Sequence, residues 1–269
     1  MESQDKQAEI NHSRGEFQLG SWEDSKPQQQ ARKKQLELAM PNIPIGQLVL
    51  DAGCGPGTYG IILFECGNNV VGIDISSDAV REAGKRALNN CLAFVPMVGD
   101  IENLPFREAS FDICFCGYAL HHFPNINKAV IEFTRVLKPG GTLVLAEPNG
   151  SNPVVILNNG IKNLFRGWLA ETALDTPNEV IHKIKTYTNI LEQQGYEQVK
   201  IFSCFCGGLP PLPKSRGRGN LDLATLNMIK TLVHLRQLIF IISNKTLPRP
   251  LNGADLFVIG AKAEKVVVN

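Results

Sequence analysis

The segment Leu48-Val-Leu-Asp51-Ala-Gly53-Cys-Gly55-Pro-Gly57-Thr58 constrains this chain more than any other stretch. It reads as an apolar strand that ends on an aspartate and then breaks into three glycines at spacing two. A strand, a glycine turn and a helix in succession make a nucleotide-sized site at the carboxyl edge of an α/β sheet. Glycine permits the sharp turn and lets a ligand approach the backbone, because no Cβ stands in the way. The aspartate repels a pyrophosphate and attracts a ligand with a cationic end.

The surrounding pattern fixes the fold class. Residues 27–40 read as a helix, with Pro27 near its start and Pro41 after its end. Strands are then expected to end at Asp51 and over Val70–Asp74, Ala93–Val98, Phe111–Cys116 and Thr142–Ala146. Helices are expected between them, at Thr58–Cys66, from Ser76 or Ser77 to Asn89, and over Asn125–Leu137. Alternation of this kind builds a parallel, doubly wound sheet. Right-handed crossovers put Asp51, Asp74, Asp100 and Cys116 along one edge of it. After Glu147 the alternation stops. Residues 148–175 read as turns and a mixed apolar-basic stretch, followed by a helix over Glu179–Gln194 and a strand over Val199–Cys206. An amphipathic helix at 221–242 and a last strand over Ala254–Ala261 complete the chain.

Three acids at successive strand ends narrow the ligand. Asp74 falls where a Rossmann-like site places the carboxylate that accepts ribose hydroxyls. Asp100 follows the third strand, where it can meet the exocyclic amine of a base. A dinucleotide site has no need of that third acid, and Thr58 stands where its third glycine would be.

With these residues the chain resembles the class I S-adenosylmethionine-dependent methyltransferases, in particular the small-molecule type with a Leu-His-His-Phe segment. The matching stretches are Asp51 to Gly57, Gly72 to Ser76, Gly99-Asp100-Ile101 with Leu104-Pro105-Phe106, Phe111-Asp112 through Leu120-His-His-Phe123, and Leu137 to Leu143. The resemblance implies a Rossmann-like, doubly wound, mostly parallel sheet of seven strands, with an antiparallel last strand and helical lid insertions. The resemblance covers about residues 45–147 and the last strand; the chain is accordingly read as an N-terminal polar segment and helix forming a lid (1–40), a cofactor-binding core (41–147), substrate-side insertions with the sixth strand (148–253), and the last strand with its tail (254–269). The resemblance implies that Gly53, Gly55 and Gly57 hold the methionine moiety of S-adenosylmethionine with Asp51 near its ammonium. Asp74 would take the ribose diol and Ile75 the adenine, while Asp100 and Ile101 would meet the adenine edge and face. Cys116 to Tyr118 would line the sulfonium region through backbone atoms.

A sulfonium methyl is already activated, so the protein has to align the nucleophile and exclude water. A general base is needed where the acceptor is a weak acid. The candidates are His121 and His122, just after the fourth strand, and Glu147 at the end of the fifth. A structural part in the following turn is the competing reading for either histidine.

Composition excludes several other classes. The net charge of +1 provides no field for nucleic acid or a membrane surface. The basic run Lys214-Ser-Arg216-Gly-Arg218 has no interleaved aromatics and reads as a solvated loop. Seven cysteines without regular spacing fit a reducing compartment, and Cys114/Cys116 and Cys204/Cys206 read as strand packing with no metal site. Residues 1–35 hold no apolar leader core, and no run reaches the roughly 18 apolar residues of a membrane span. The expected location is cytoplasmic.

Acceptor choice is expected to lie in the segments outside the matching stretches. Phe17, Trp22, Phe165 and Trp168 would wall an apolar pocket, and the 221–242 helix would form a lid. A small apolar or amphiphilic biosynthetic metabolite fits them, and a lipid-like or membrane-surface contact is the related alternative. A cofactor-binding scaffold without chemistry is the competing class of function. The nucleophile (O, N or C) and the oligomeric state are not fixed by the sequence.

Overall fold

The computed structural model describes residues 6–8, 10–11, 26–40, 44–123, 125–164, 180–204 and 255–263. The aromatic residues at 17, 22, 165 and 168, the basic loop and the 221–242 helix lie outside them. Helix α1 spans Lys26–Ala39. Strands and helices then alternate as β1 Leu48–Ala52, α2 Thr58–Glu65, β2 Asn69–Asp74, α3 Ser77–Asn89 and β3 Val95–Val98. They continue as β4 Phe111–Gly117, α4 Ile126–Val136, β5 Leu137–Pro148, α5 Pro153–Leu164, α6 Ile184–Gln193, β6 Tyr196–Cys204 and β7 Asp255–Lys262.

The seven strands form one sheet in the order β3-β2-β1-β4-β5-β7-β6. The first five pair in parallel, and β7 runs antiparallel between β5 and β6. The two sheet faces are covered by different helices. Val49, Phe115 and Val144 pack with Leu36 of α1, Ile62 and Leu63 of α2 and Ala83 and Ala87 of α3. Leu50, Cys114, Cys116 and Leu145 pack with Val130 and Phe133 of α4 and Leu191 of α6. Cys114 and Cys116 are therefore wholly buried packing residues on one face.

Local sequence explains the elements. Ser76 caps α3 by accepting the Ala79 N–H at 3.3 Å, and Asn125 caps α4 by accepting that of Lys128 at 3.1 Å. Buried Ala79, Ala83 and Ala87, four residues apart, let α3 lie close to the sheet.

Three elements differ from expectation. The helix after residue 180 begins at Ile184, because residues 181–183 are held in another contact described below. A helix, α5, stands where the sequence reads as irregular. Its signal is Asn152-Pro153: Asn152 Oδ1 accepts the N–H groups of Val154 (2.8 Å) and Val155 (3.3 Å), and proline suits the first turn. Strand β5 starts five residues early, at Leu137, and absorbs Lys138–Gly141 as an irregularity opposite Phe111 and Ile113. Asp112 fixes this far edge. It accepts the Leu48 N–H at 2.9 Å and pairs with Lys138 Nζ at 2.7 Å. A cavity of about 470 Å³ opens there between Met40, Asp112, Lys138 and Lys200, and none of its lining residues belongs to the acid-bearing edge.

Candidate active site

The strands β3, β2, β1 and β4 are consecutive neighbours, so their carboxyl ends bring Asp100, Asp74, Asp51 and Cys116 to one edge. The glycine loop joins them. Gly53, Gly55 and Gly57 have φ of 72°, 51° and 81°, a region costly to residues with a Cβ. The Gly53 and Cys54 N–H groups both donate to Ile73 O of β2, at 2.8 and 3.0 Å. The three positions differ in their surroundings. A Cβ on Gly53 would collide with that of Ala119, and one on Gly57 would sit 2.8 Å from the Phe94 ring. A Cβ on Gly55 would meet nothing within 4 Å. Gly53 and Gly57 thus pack against protein, and Gly55 borders open space.

Asp74 spans the loop and the next helix. Its Oδ2 accepts the Gly55 N–H and its Oδ1 that of Ser76, both at 2.8 Å. Burial pushes its carboxyl up, and the two amides pull it back. Each oxygen keeps a further lone pair for a diol. Asp51 is 1% exposed, and its Oδ2 has no hydrogen-bond partner among the described residues. Burial pushes its carboxyl up to about 7; the Gly60 amide opposes this and the Asp74 charge adds to it. An orphaned buried carboxylate oxygen beside an open glycine cradle suits a ligand with one cationic end.

Asp100 has a partner that sequence reasoning missed. Lys6 Nζ lies 2.6 Å from Asp100 Oδ2 and 2.8 Å from Oε2 of the buried Glu102. The sequence hint was only an acid two residues after Asp100; nothing marked Lys6. Ile75 is half-buried just past Asp74, whereas Ile101 is wholly buried in the core, with no exposed face. Cys116 is also wholly buried, so its thiol is packed in the core. Tyr118 has φ of 54° and donates its N–H to Ala146 O at 2.7 Å. Its ring stacks on Tyr59, with centroids 6.3 Å apart and planes 8° apart. The Arg32 guanidinium of α1 lies over both rings, 5.4 Å from Tyr59 and 5.3 Å from Tyr118. That places α1 against this end of the edge.

The three candidate bases come together. His121 Nδ1 lies 2.5 Å from Glu147 Oε2, with both side chains almost wholly buried. Glu147 Oε1 accepts the N–H groups of Ala119 (3.3 Å) and Leu120 (2.9 Å), which fixes the turn carrying His121. With both Glu147 oxygens accepting, Nδ1 carries the proton and Nε2 is the basic nitrogen of His121. The His122 ring packs on that of His121 at 4.0 Å between centroids. Among the described residues, no group of three His, Cys, Asp or Glu side chains could hold a metal ion.

Residues 50–145 match the family described as a methyltransferase domain. Those residues, strands β1 to β5 with their acids and glycine loop, thus have the sequence of a methyltransferase domain. The chain is 40% identical to malonyl-[acyl-carrier protein] O-methyltransferase of Erwinia billingiae over 38% of its own length and 39% of that protein's. It is 29% identical to demethylmenaquinone methyltransferase of Staphylococcus haemolyticus over 62% of its own length and 75% of the other's. Among these curated relatives the matched share thus falls to about two fifths of the relative's length. An S-adenosylmethionine-dependent methyltransferase of Archaeoglobus fulgidus superposes with a TM-score of 0.57 at 20% identity, covering 87% of this chain and 94% of that one. That likeness shows the shared fold. S-adenosylmethionine is the cofactor of this domain type, and the open Gly55 cradle with Asp74 and the orphaned Asp51 oxygen fits it.

Proposed function

We propose that this methyltransferase transfers the methyl group of S-adenosylmethionine to an O–H, N–H or acidic C–H nucleophile of a small apolar or amphiphilic metabolite. The observation that carries the base assignment is the buried His121–Glu147 pair, at the ends of β4 and β5 on the same sheet edge as the glycine loop after β1. The cofactor supplies a sulfonium methyl that is already activated. The Gly53–Gly57 loop holds its methionine end at the open position Gly55, where Gly53 and Gly57 shape the turn, with the charged form of Asp51 matched to the ammonium. Asp74 takes the ribose diol, and Ile75 and Asp100 border the adenine, with the buried Ile101 packing beneath them. Cys116 and Tyr118 flank the reacting end through their backbone. His121 Nε2 takes the acceptor's proton as the new bond to carbon forms, and Glu147 stabilises the resulting imidazolium through Nδ1. His122 packs against this base.

The acceptor class rests on the apolar surface beside the site. Ile156 and Leu157 of α5 are about half exposed, at 51% and 45%. The two curated relatives are named for a malonyl group on an acyl carrier protein and for demethylmenaquinone, and both names are compatible with an amphiphilic acceptor. The expected location remains cytoplasmic; no helix among the described residues is long and apolar enough to cross a membrane.

The test is incubation of a metabolite extract with methyl-labelled S-adenosylmethionine, read by mass spectrometry. A labelled product that disappears in His121→Gln and Glu147→Gln, while both variants still bind S-adenosylhomocysteine, supports the reading. Full labelling by His121→Gln removes the base assignment. The absence of product from every extract favours the scaffold.

A further inference from the structure

Residues 180–182 close over the turn that carries His121. The Val180 N–H donates to the His121 carbonyl at 2.9 Å. Two residues on, the His182 carbonyl accepts the Gly150 N–H at 3.2 Å. Gly150 must be glycine for this contact, since a Cβ there would collide with the His182 carbonyl. The strap continues into α6, whose first amide, Ile184 N–H, donates to Ser151 Oγ at 3.0 Å. A segment remote in sequence is therefore fastened at three points between the His121 turn and the loop after β5.

The strap brings a second imidazole with it. His182 lies edge-on to Tyr187 of α6, with ring centroids 5.8 Å apart and planes at 82°. The Tyr187 hydroxyl is buried with no hydrogen-bond partner among the described residues. Of the described titratable groups, the charges of Glu147 of β5 and His121 of the turn are the ones felt at His182. His122 packs behind His121, and Tyr187 lies below. Lys183 and Lys185, on the strap side itself, are exposed.

We infer that residues 180–182 are a positioning strap for His121, and that the same strap holds the His182 imidazole near the base. The inference rests on the reading of His121 as the base. The strap holds the His121 carbonyl while Glu147 holds its ring, so the base is fixed from both its backbone and its side chain. Burial holds the His182 imidazole below the ordinary histidine range; the Glu147 charge opposes that, and a protonated His121 lowers it further.

The experiment uses the full chain with its histidines labelled, and Gly150→Ala, His182→Gln and His121→Gln. NMR titration of the imidazole resonances needs no acceptor. The expected result is a His182 midpoint that rises when His121 is replaced, and that rises towards the ordinary 6.5 in Gly150→Ala as the strap lifts. Exchange of the Val180 amide would quicken in Gly150→Ala. With the acceptor isolated by the labelling screen, Gly150→Ala would lower kcat about tenfold or more, leave the cofactor Kd unchanged and shift the acid limb of the pH profile. If Gly150→Ala does not fold, Ser151→Ala loosens the same strap and is read in the same way. An unmoved His182 midpoint in His121→Gln, or unchanged kcat and pH profile in a strap variant whose Val180 amide exchanges faster, overturns the inference. Full labelling by His121→Gln would instead remove the base assignment beneath it.

Discussion

The Gly55 N–H donates to Asp74 Oδ2 at 2.8 Å, so the glycine loop after β1 and the acid at the end of β2 form one structural unit. The carboxylate proposed for the ribose diol also holds the loop proposed for the methionine end. Asp74→Ala removes both at once. It is expected to weaken S-adenosylhomocysteine binding by about two orders of magnitude, whereas Asp74→Asn, which keeps one acceptor oxygen, loses less. Isothermal titration of both variants checks this; an unaltered Kd in Asp74→Ala would remove Asp74 from the site.

Asp51 predicts a pH dependence of binding. Its carboxyl is pushed up to about 7 by burial, so near neutrality it is half charged. A cationic ligand end favours the charged form, and binding should strengthen as pH rises through 7. Between pH 6 and pH 8 the Kd for S-adenosylhomocysteine should fall about tenfold, and Asp51→Asn should flatten the curve. Stability moves in the opposite direction. From pH 3.8 to about 7 the native state holds a proton that the unfolded chain has released, so this group's contribution declines as pH rises across that window. A flat binding profile in the parent protein would disconnect Asp51 from the ligand.

The glycines separate packing from binding. Gly57→Ala adds a Cβ 2.8 Å from Phe94 at a φ of 81°, and should cost about 2–4 kcal/mol of stability. Gly55→Ala carries only the conformational cost, about 1 kcal/mol, because its Cβ points into open space. It should fold and yet bind S-adenosylhomocysteine poorly. Thermal unfolding and titration of the two variants side by side decide the matter; normal binding by Gly55→Ala would put the ligand elsewhere.

Lys6 pairs with two acids, of which Glu102 has almost no solvent to screen it. Lys6→Ala leaves Glu102, whose side chain is 1% exposed, without its cation. The expected loss is about 1–2 kcal/mol, lowering Tm by a few degrees, with partial recovery in Glu102→Gln/Lys6→Ala. Equal Tm values for Lys6→Ala and the parent would show that the pair contributes nothing.

Much of the fold was legible because β1 to β5 and α2 to α4 alternate with strong periodicity and carry their own caps. Ser76, Asn125 and the glycines mark boundaries in the sequence that the backbone then obeys. The edge bearing Asp51, Asp74 and Asp100 followed from topology alone, since parallel strands with right-handed crossovers present their carboxyl ends together. Partners across long sequence gaps were not legible. Lys6 meets Asp100 from 94 positions away. His182 reaches the His121 turn only because the chain returns to it after α5. Such contacts depend on loop paths, and no local residue pattern encodes those. The absorbed Lys138–Gly141 segment escaped for a related reason: Pro139 and the two glycines mimic a helix-ending loop, while the pairing of Leu137 with Phe111 keeps the backbone in the ladder.

The antiparallel strand has a consequence for the order of assembly. Asp255–Lys262 is threaded between β5 and β6, which share no direct pairing in the sheet. On a ribosome, residues 48–148 can build their five-stranded half as they emerge, but β6 must wait more than fifty residues for the strand that docks it. During that interval the outer edge of β5 is an unpaired ladder, open to any extended segment nearby. Docking of β7 is a long-range insertion, a kind of step that topology makes slow, and until it is complete the β5 edge is open to edge-to-edge pairing.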